Sequence, residues 1–213
     1  MKKASVWLWI AAVLAVGVGL FSYRYLVMGV AGAPQNVAAN RFAATGALVV
    51  HAGIAATALI LGALQFFPGF RARWPAWHRR AGTLYVLCCL IGGAAGLLLA
   101  LGASTGPIAA SGFGLLALVW MFCTANAWRY ARARDFVRHQ RWMTRSYALT
   151  FAAVTLRLYL PAAIIAHLDV IASYRAIAWL CWAPNLIAVE LWLRRGSFVR
   201  TSPPRAAPSQ SPG

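Results

Sequence analysis

Gly82-Thr83-Leu84-Tyr85-Val86-Leu87-Cys88-Cys89-Leu90-Ile91-Gly92-Gly93-Ala94-Ala95-Gly96-Leu97-Leu98-Leu99-Ala100-Leu101-Gly102-Ala103 is a run of 22 residues without one charged side chain. A helix of that length reaches about 33 Å, close to the thickness of a bilayer's hydrocarbon core. Working outward, five further apolar blocks have similar length. The six blocks lie roughly at 6–28, 42–67, 82–103, 108–128, 144–166 and 172–193. Pro34, Pro68-Gly69, Pro75, Gly106-Pro107 and Pro161 punctuate them. The composition agrees: 62% of the 213 residues are hydrophobic and 11% charged, against about 25% charged in a soluble domain. The sequence predicts an all-α, polytopic membrane helix bundle of about six transmembrane helices. Residues 1–195 form its single transmembrane domain. The Pro- and Ser-rich stretch 196–213 reads as a disordered cytoplasmic tail.

The net charge of +17 does not point to nucleic acid, because the cations flank apolar blocks and leave no soluble basic face. They report orientation instead. With the N-terminus inside, the inner segments hold Lys2 and Lys3, then Arg71, Arg73, Arg79 and Arg80. The next inner loop holds Arg129, Arg132, Arg134, Arg138, Arg141 and Arg145, and the last segment Arg194, Arg195, Arg200 and Arg205. Only Arg24, Arg41, Arg157 and Arg175 are left over. That bias places both termini in the cytoplasm. Trp7, Trp9, Trp74, Trp77, Trp128, Trp142 and Trp192 fall near the inner interface, as aromatic anchors do. The first run is longer than the apolar region of a secretory signal, so it reads as a retained helix. Cys88, Cys89, Cys123 and Cys181 lie inside apolar blocks without C-x-x-C spacing and read as buried free thiols.

Polar groups inside spans carry the functional signal. On the second span His51, Ala55, Ala58, Gly62 and Gln65 share a face at helical spacing. On the third, a helix starting near Pro75 aligns His78, Gly82, Tyr85, Cys89, Gly92 and Gly96. On the fifth, Asp135 is a candidate N-cap, and His139, Met143, Ser146, Thr150, Ala153 and Arg157 line up behind it. His51 and Arg157 both fall ~13–15 Å below the outer boundary at helical rise, so they are expected to be neighbours. Gln65, His78, His139 and Arg145 belong to the inner rim. Two polar clusters are therefore expected. Glu190 is expected to snorkel or to pair with Arg194 one turn on, and His167 to sit in a solvated outer loop.

Two stretches carry a resemblance. One is Trp77-His78-Arg79-Arg80-Ala81-Gly82-Thr83-Leu84-Tyr85. The other runs from Arg134 through His139-Gln140-Arg141-Trp142-Met143-Thr144-Arg145-Ser146-Tyr147 and on to Arg157-Leu158-Tyr159-Leu160-Pro161. With His51 and Gln65 they resemble a family of bacterial predicted membrane proteins known only as a domain of unknown function, over roughly residues 43–161. The resemblance implies the architecture and a multi-pass place in a bacterial plasma (inner) membrane. It implies no activity.

Three readings of function stay open. In the first, haem b is held by His78 and His139, facing residues at matched depth, with Arg79, Arg138 and Arg145 neutralising propionates; no other metal is indicated. In the second, His51 and Arg157 bind an anion, a lipid or a quinone for carriage or sensing. Gln65, Tyr85, Met143, Ser146 and Thr150 would line the polar interior below them. In the third, the chain is a non-catalytic accessory protein whose basic loops meet anionic lipids at the inner face. No soluble-enzyme motif occurs, and Asp135, Asp169 and Glu190, the only side-chain carboxylates, are not spaced as an acid/base pair. Whether the chain has a redox role is left open.

Overall fold

The computed structural model describes residues 5–200, and of Pro68 and residues 196–200 the backbone alone. The described chain is helical throughout, without a strand. Six helices are long and apolar enough to cross a membrane: α1 (Val6–Gly32), α2 (Ala47–Gln65), α3 (Pro75–Leu101), α4 (Pro107–Arg132), α5 (Phe136–Ile165) and α6 (Val170–Arg195). Beyond Arg200 the expected disordered tail lies outside the described residues.

Local chemistry sets the boundaries. Pro75 and Pro107 occupy first-turn positions of α3 and α4, where a missing N–H is harmless. Asp135 caps α5 by accepting the Arg138 N–H at 3.0 Å, and Asp169 caps α6 by accepting that of Ala172 at 2.7 Å. Two helices end in left-handed residues that are not glycine, Arg134 (φ 59°) and His167 (φ 53°). Each is followed by a residue whose N–H reaches back five positions, Asp135 to the Tyr130 carbonyl and Leu168 to that of Ala163. This pairing satisfies carbonyls a helix end would otherwise leave bare. His167 thus sits in a tight turn between α5 and α6 and is exposed.

Three spans are broken, and α1 divides at Tyr23 between Ser22 and Arg24 before tightening into a 3-10 turn at Gly29. α6 divides between Leu180 and Ala183, because Pro184 can neither donate to the Leu180 carbonyl nor avoid its bulk. α5 divides at Phe151, just after Thr150 turns its hydroxyl back on the Ser146 carbonyl at 2.9 Å, a bond that bends helices.

The spans run up and down. Trp9 stacks on Phe67 at 4.7 Å, joining the start of α1 to the end of α2. The opposite ends are tied by Ser104 donating to the Asn36 carbonyl, Asn40 to that of Leu99 and Arg175 to that of Thr105. We call the first the basic end and the second the far end. α2, α3, α4 and α5 pack side by side as the core. α1 lies on α2 and the far half of α5, and α6 closes the bundle against α4 and α5.

The polarity of the surface is inverted relative to a soluble fold. On α3, Tyr85, Cys89 and Gly92 face inward, while Leu84, Leu87, Ile91 and Leu98 stand outside. Such a stripe suits acyl chains and would not survive in water. At the basic end arginines lie over ring faces: Arg73 on Trp74, Arg80 on Trp77, Arg132 on Trp128 and Arg145 on Trp142. Together these features make the chain a multi-pass membrane protein.

Candidate functional site

Three polar clusters occur along the bundle, one more than expected. The central one joins α3, α4 and α5. Tyr85 is fully buried, and its hydroxyl lies 2.8 Å from Ser146 and 2.9 Å from Thr150. Ser146 meets Thr124 at 2.7 Å, and the Trp120 indole donates to Thr150 at 2.9 Å. Thr124 donates to the Trp120 carbonyl and Thr150 to that of Ser146. Cys89 lies among these hydroxyls, and Met143 packs below them in the same core. All four cysteines are free and buried.

Proton counting shows what this cluster is. Tyr85, Ser146, Thr124, Thr150 and Trp120 bring five protons to six contacts. With the threonine protons committed to backbone carbonyls, Ser146 donates to Thr124, and Tyr85 places its one proton on Ser146 or Thr150. None of these five protons is left over to greet a ligand. A fully satisfied buried network rigidifies a core, and this one seals the middle of the bundle.

Glycine makes the seal. A Cβ on Gly62 would lie 2.5 Å from the Tyr147 ring and 2.8 Å from that of Tyr85. Gly62 thus lets two tyrosines cross α2 at contact distance. Asn185 on α6 adds a neighbouring tie, donating to the Thr155 hydroxyl and to the carbonyls of Ala148 and Cys181.

The far-end cluster holds His51 and Arg157, as expected, but they share no hydrogen bond. The Nδ1 of His51 donates to the Gly92 carbonyl at 2.8 Å, and its ring lies over Gly96. Arg157 donates through one Nη to its own helix, at the Ala153 carbonyl 3.1 Å away. The two are close enough to interact electrostatically. Arg157 also lies within electrostatic reach of Tyr25 and Arg24 of α1. Arg24 donates to the Tyr25 hydroxyl at 3.0 Å and stacks on Phe21, while its Nε is buried without a partner. Tyr174 of α6 also lies within reach of Tyr25.

No countercharge accompanies these arginines. The chain has three side-chain carboxylates, and all are engaged elsewhere. Asp135 and Asp169 cap helices. Glu190 grips Arg145 with both oxygens. That pairing also corrects two expectations. Glu190 takes its hydrogen bonds from Arg145 on a neighbouring helix and not from Arg194, and Arg145 has its fork filled by a protein carboxylate instead of a cofactor's acid group.

The third cluster lies at the basic end. His78 and His139 approach closely enough to interact, with Arg71 and Arg79 beside His78. The Nδ1 of His139 donates to the Ala127 carbonyl at 2.9 Å. That of His78 is buried without a partner, as is the amide nitrogen of Gln65. Gln65 leans over Gly82, one turn along α3 from His78.

The profile of a family described as predicted membrane protein, DUF2306, matches residues 48–193, and the chain belongs to this family. The match runs past the expected limit near residue 161 and takes in α6. No curated protein and no solved structure matches the chain.

Proposed function

We propose that this membrane protein binds a small anion, or the anionic head of an amphiphile, between Arg24, Arg157 and His51 in the far half of the bundle, as a carrier or sensor of that ligand. The supporting observation is the pair of half-buried guanidiniums that lie within electrostatic reach of one another in membrane-spanning helices without a carboxylate. Each carries five N–H donors, and among the described residues Arg24 and Arg157 each place one on a protein oxygen. Uncompensated charge in a bilayer costs several kcal/mol by any scale, so it persists where a partner completes it. An anion would be shared by both forks, with the free edge of His51 and the Tyr25 hydroxyl at its margin.

The sealed centre suits this reading. Tyr85, Ser146 and Thr150 are buried and hydrogen-bonded to one another, which fits a receptor or an alternating carrier better than an open pore. The inner membrane of a bacterium, with both termini in the cytoplasm, is the setting that the distribution of arginines supports.

The haem reading has less support. An axial histidine is normally held by a hydrogen bond from its other nitrogen. His139 has that bond and His78 does not. Arg145, one of the cations meant for propionates, is committed to Glu190.

The test is thermal unfolding of the detergent-purified protein with millimolar phosphate, sulfate, chloride or acetate. A ligand at 100 times its Kd adds about 2.7 kcal/mol. At least one anion is expected to raise the midpoint of the wild type, and Arg157→Gln and Arg24→Gln to abolish the rise while retaining normal abundance. A wild type indifferent to all four anions, with variants that unfold like it, would refute the proposal.

A further inference from the structure

The opposite end of the bundle presents a different observation. Native proteins leave few buried polar atoms without a partner, yet two occur at this end of the bundle. The amide nitrogen of Gln65 ends α2 and the Nδ1 of His78 begins α3, and both are shut off from solvent. Gln65 lies against Gly82, four residues after His78, so the two side chains stand on neighbouring steps of one wall. Phe70 closes a flank, edge-on to the His78 ring at 6.4 Å. Arg71 and Arg79 supply positive charge beside His78, and His139 approaches from α5. The nearest carboxylates are out of play, since Asp135 caps α5 and Glu190 holds Arg145.

The geometry points to a phosphate-binding site at the basic end, in which Gln65 and His78 donate to one phosphoryl group while Arg71 and Arg79 neutralise it. The acceptor must be an oxygen, because the amide nitrogen of Gln65 can only donate. It must carry negative charge, because cations surround it and no protein anion is present. It must be compact, because Gln65 packs beside Gly82, one turn of α3 from His78. A phosphoryl group meets all three demands and takes several N–H donors at once. Two sources present this chemistry at a basic membrane rim: the headgroup of an anionic phospholipid and free inorganic phosphate. The arginine-on-tryptophan pairs around the same rim, Arg73 on Trp74 and Arg80 on Trp77, put the site at headgroup height.

The experiment is native mass spectrometry of delipidated, detergent-purified protein titrated separately with phosphatidylglycerol, phosphatidylcholine and inorganic phosphate. The wild type is expected to hold one phosphatidylglycerol at least tenfold more tightly than phosphatidylcholine. Gln65→Leu and His78→Leu are each expected to weaken that adduct about tenfold, the worth of one hydrogen bond to a charged group. Arg132→Gln, which lies in the other basic loop, should bind within twofold of wild type. Retention of inorganic phosphate with the same dependence on Gln65 and His78 would support the site and assign it to the free ion. Binding of neither probe, or equal binding by wild type and both leucine variants, would overturn it. Arg157→Gln separates this inference from the far-end site, because its phosphatidylglycerol adduct should be unchanged whether or not that site exists. Each variant is first shown to elute and unfold as a single species. Should His78→Leu fail that check, His78→Asn, which keeps a short polar group, replaces it and should weaken binding by a smaller factor.

Discussion

Replacing Tyr85 by phenylalanine is the sharpest test of the view that the central network is structural. The Tyr85 hydroxyl makes two contacts, to Ser146 and Thr150. It contributes only one proton, and the remaining four groups close without it. In Tyr85→Phe, Ser146 still donates to Thr124, Thr124 to the Trp120 carbonyl, Trp120 to Thr150 and Thr150 to the Ser146 carbonyl. No buried donor is orphaned and the ring still fills its space. The loss is therefore that of one ordinary buried hydrogen bond, about 0.5–1.5 kcal/mol. Tyr85→Leu removes the ring as well and opens a void between Gly62 and Ser146, which should raise the cost to about 3–5 kcal/mol. Reversible unfolding in mixed micelles, followed by near-ultraviolet circular dichroism, measures both. Anion binding at the far end should be unaffected in Tyr85→Phe. Loss of binding with little loss of stability would refute the argument, since the hydroxyl would then be serving a ligand. So would a destabilisation above 3 kcal/mol from the single oxygen.

The remaining expectations use the same unfolding assay. Gly62→Ala should cost about 1–3 kcal/mol, because its methyl would meet two tyrosine rings that cannot retreat; Gly17→Ala, with nothing within 4 Å of the added carbon, should be neutral or gain about 0.5–1 kcal/mol. Arg134→Gly should gain about 1 kcal/mol by relieving the left-handed backbone at the end of α4. Glu190→Leu should lose about 1–2 kcal/mol, between the exposed and buried limits for an ion pair. Arg145→Leu combined with it should recover part of that loss, since no lone charge remains; strictly additive losses would show that the pair is not coupled.

What the sequence made legible was whatever a single helix can express. Apolar length placed six spans, and the cation bias put the basic loops at one end. The spacing of His139, Met143, Ser146 and Thr150 marked an inward face because these residues share one unbroken segment. Projection failed where the helix breaks. Arg157 lies past Phe151, so it meets α1 and not the Tyr85 network. Cross-helix pairing was invisible for a related reason. Spacing offered Glu190 only its own-helix neighbour Arg194, whereas the carboxylate found Arg145 across the bundle. Trp120 and Thr124 carried a weak signal, a tryptophan and a hydroxyl four apart on one face of an apolar span. Arg24 carried a stronger one, a cation inside a spanning block.

The contrast among the three clusters argues more than any one of them. In a bilayer every polar side chain must be matched, and a chain with only three carboxylates has little to match with. In the middle of the bundle this protein matches its polar groups fully, proton for proton. At both ends it does not. The far end holds two guanidiniums within electrostatic reach of each other and without a carboxylate, and the basic end buries an amide nitrogen and an imidazole nitrogen with no acceptor. Selection for stability alone would remove such groups cheaply: leucine at Arg157 or Gln65 fits an apolar span and abolishes the desolvation penalty. If these positions were merely structural defects, Arg157→Leu and Gln65→Leu should be more stable than wild type in unfolding experiments without added ligand, and no added phosphate or phospholipid should narrow the gap. If they are sites, the same variants should again gain stability in the absence of ligand, yet wild type should overtake them as ligand is titrated in. The crossing of those two curves, not the stability of either variant alone, separates a binding protein from an imperfectly packed one.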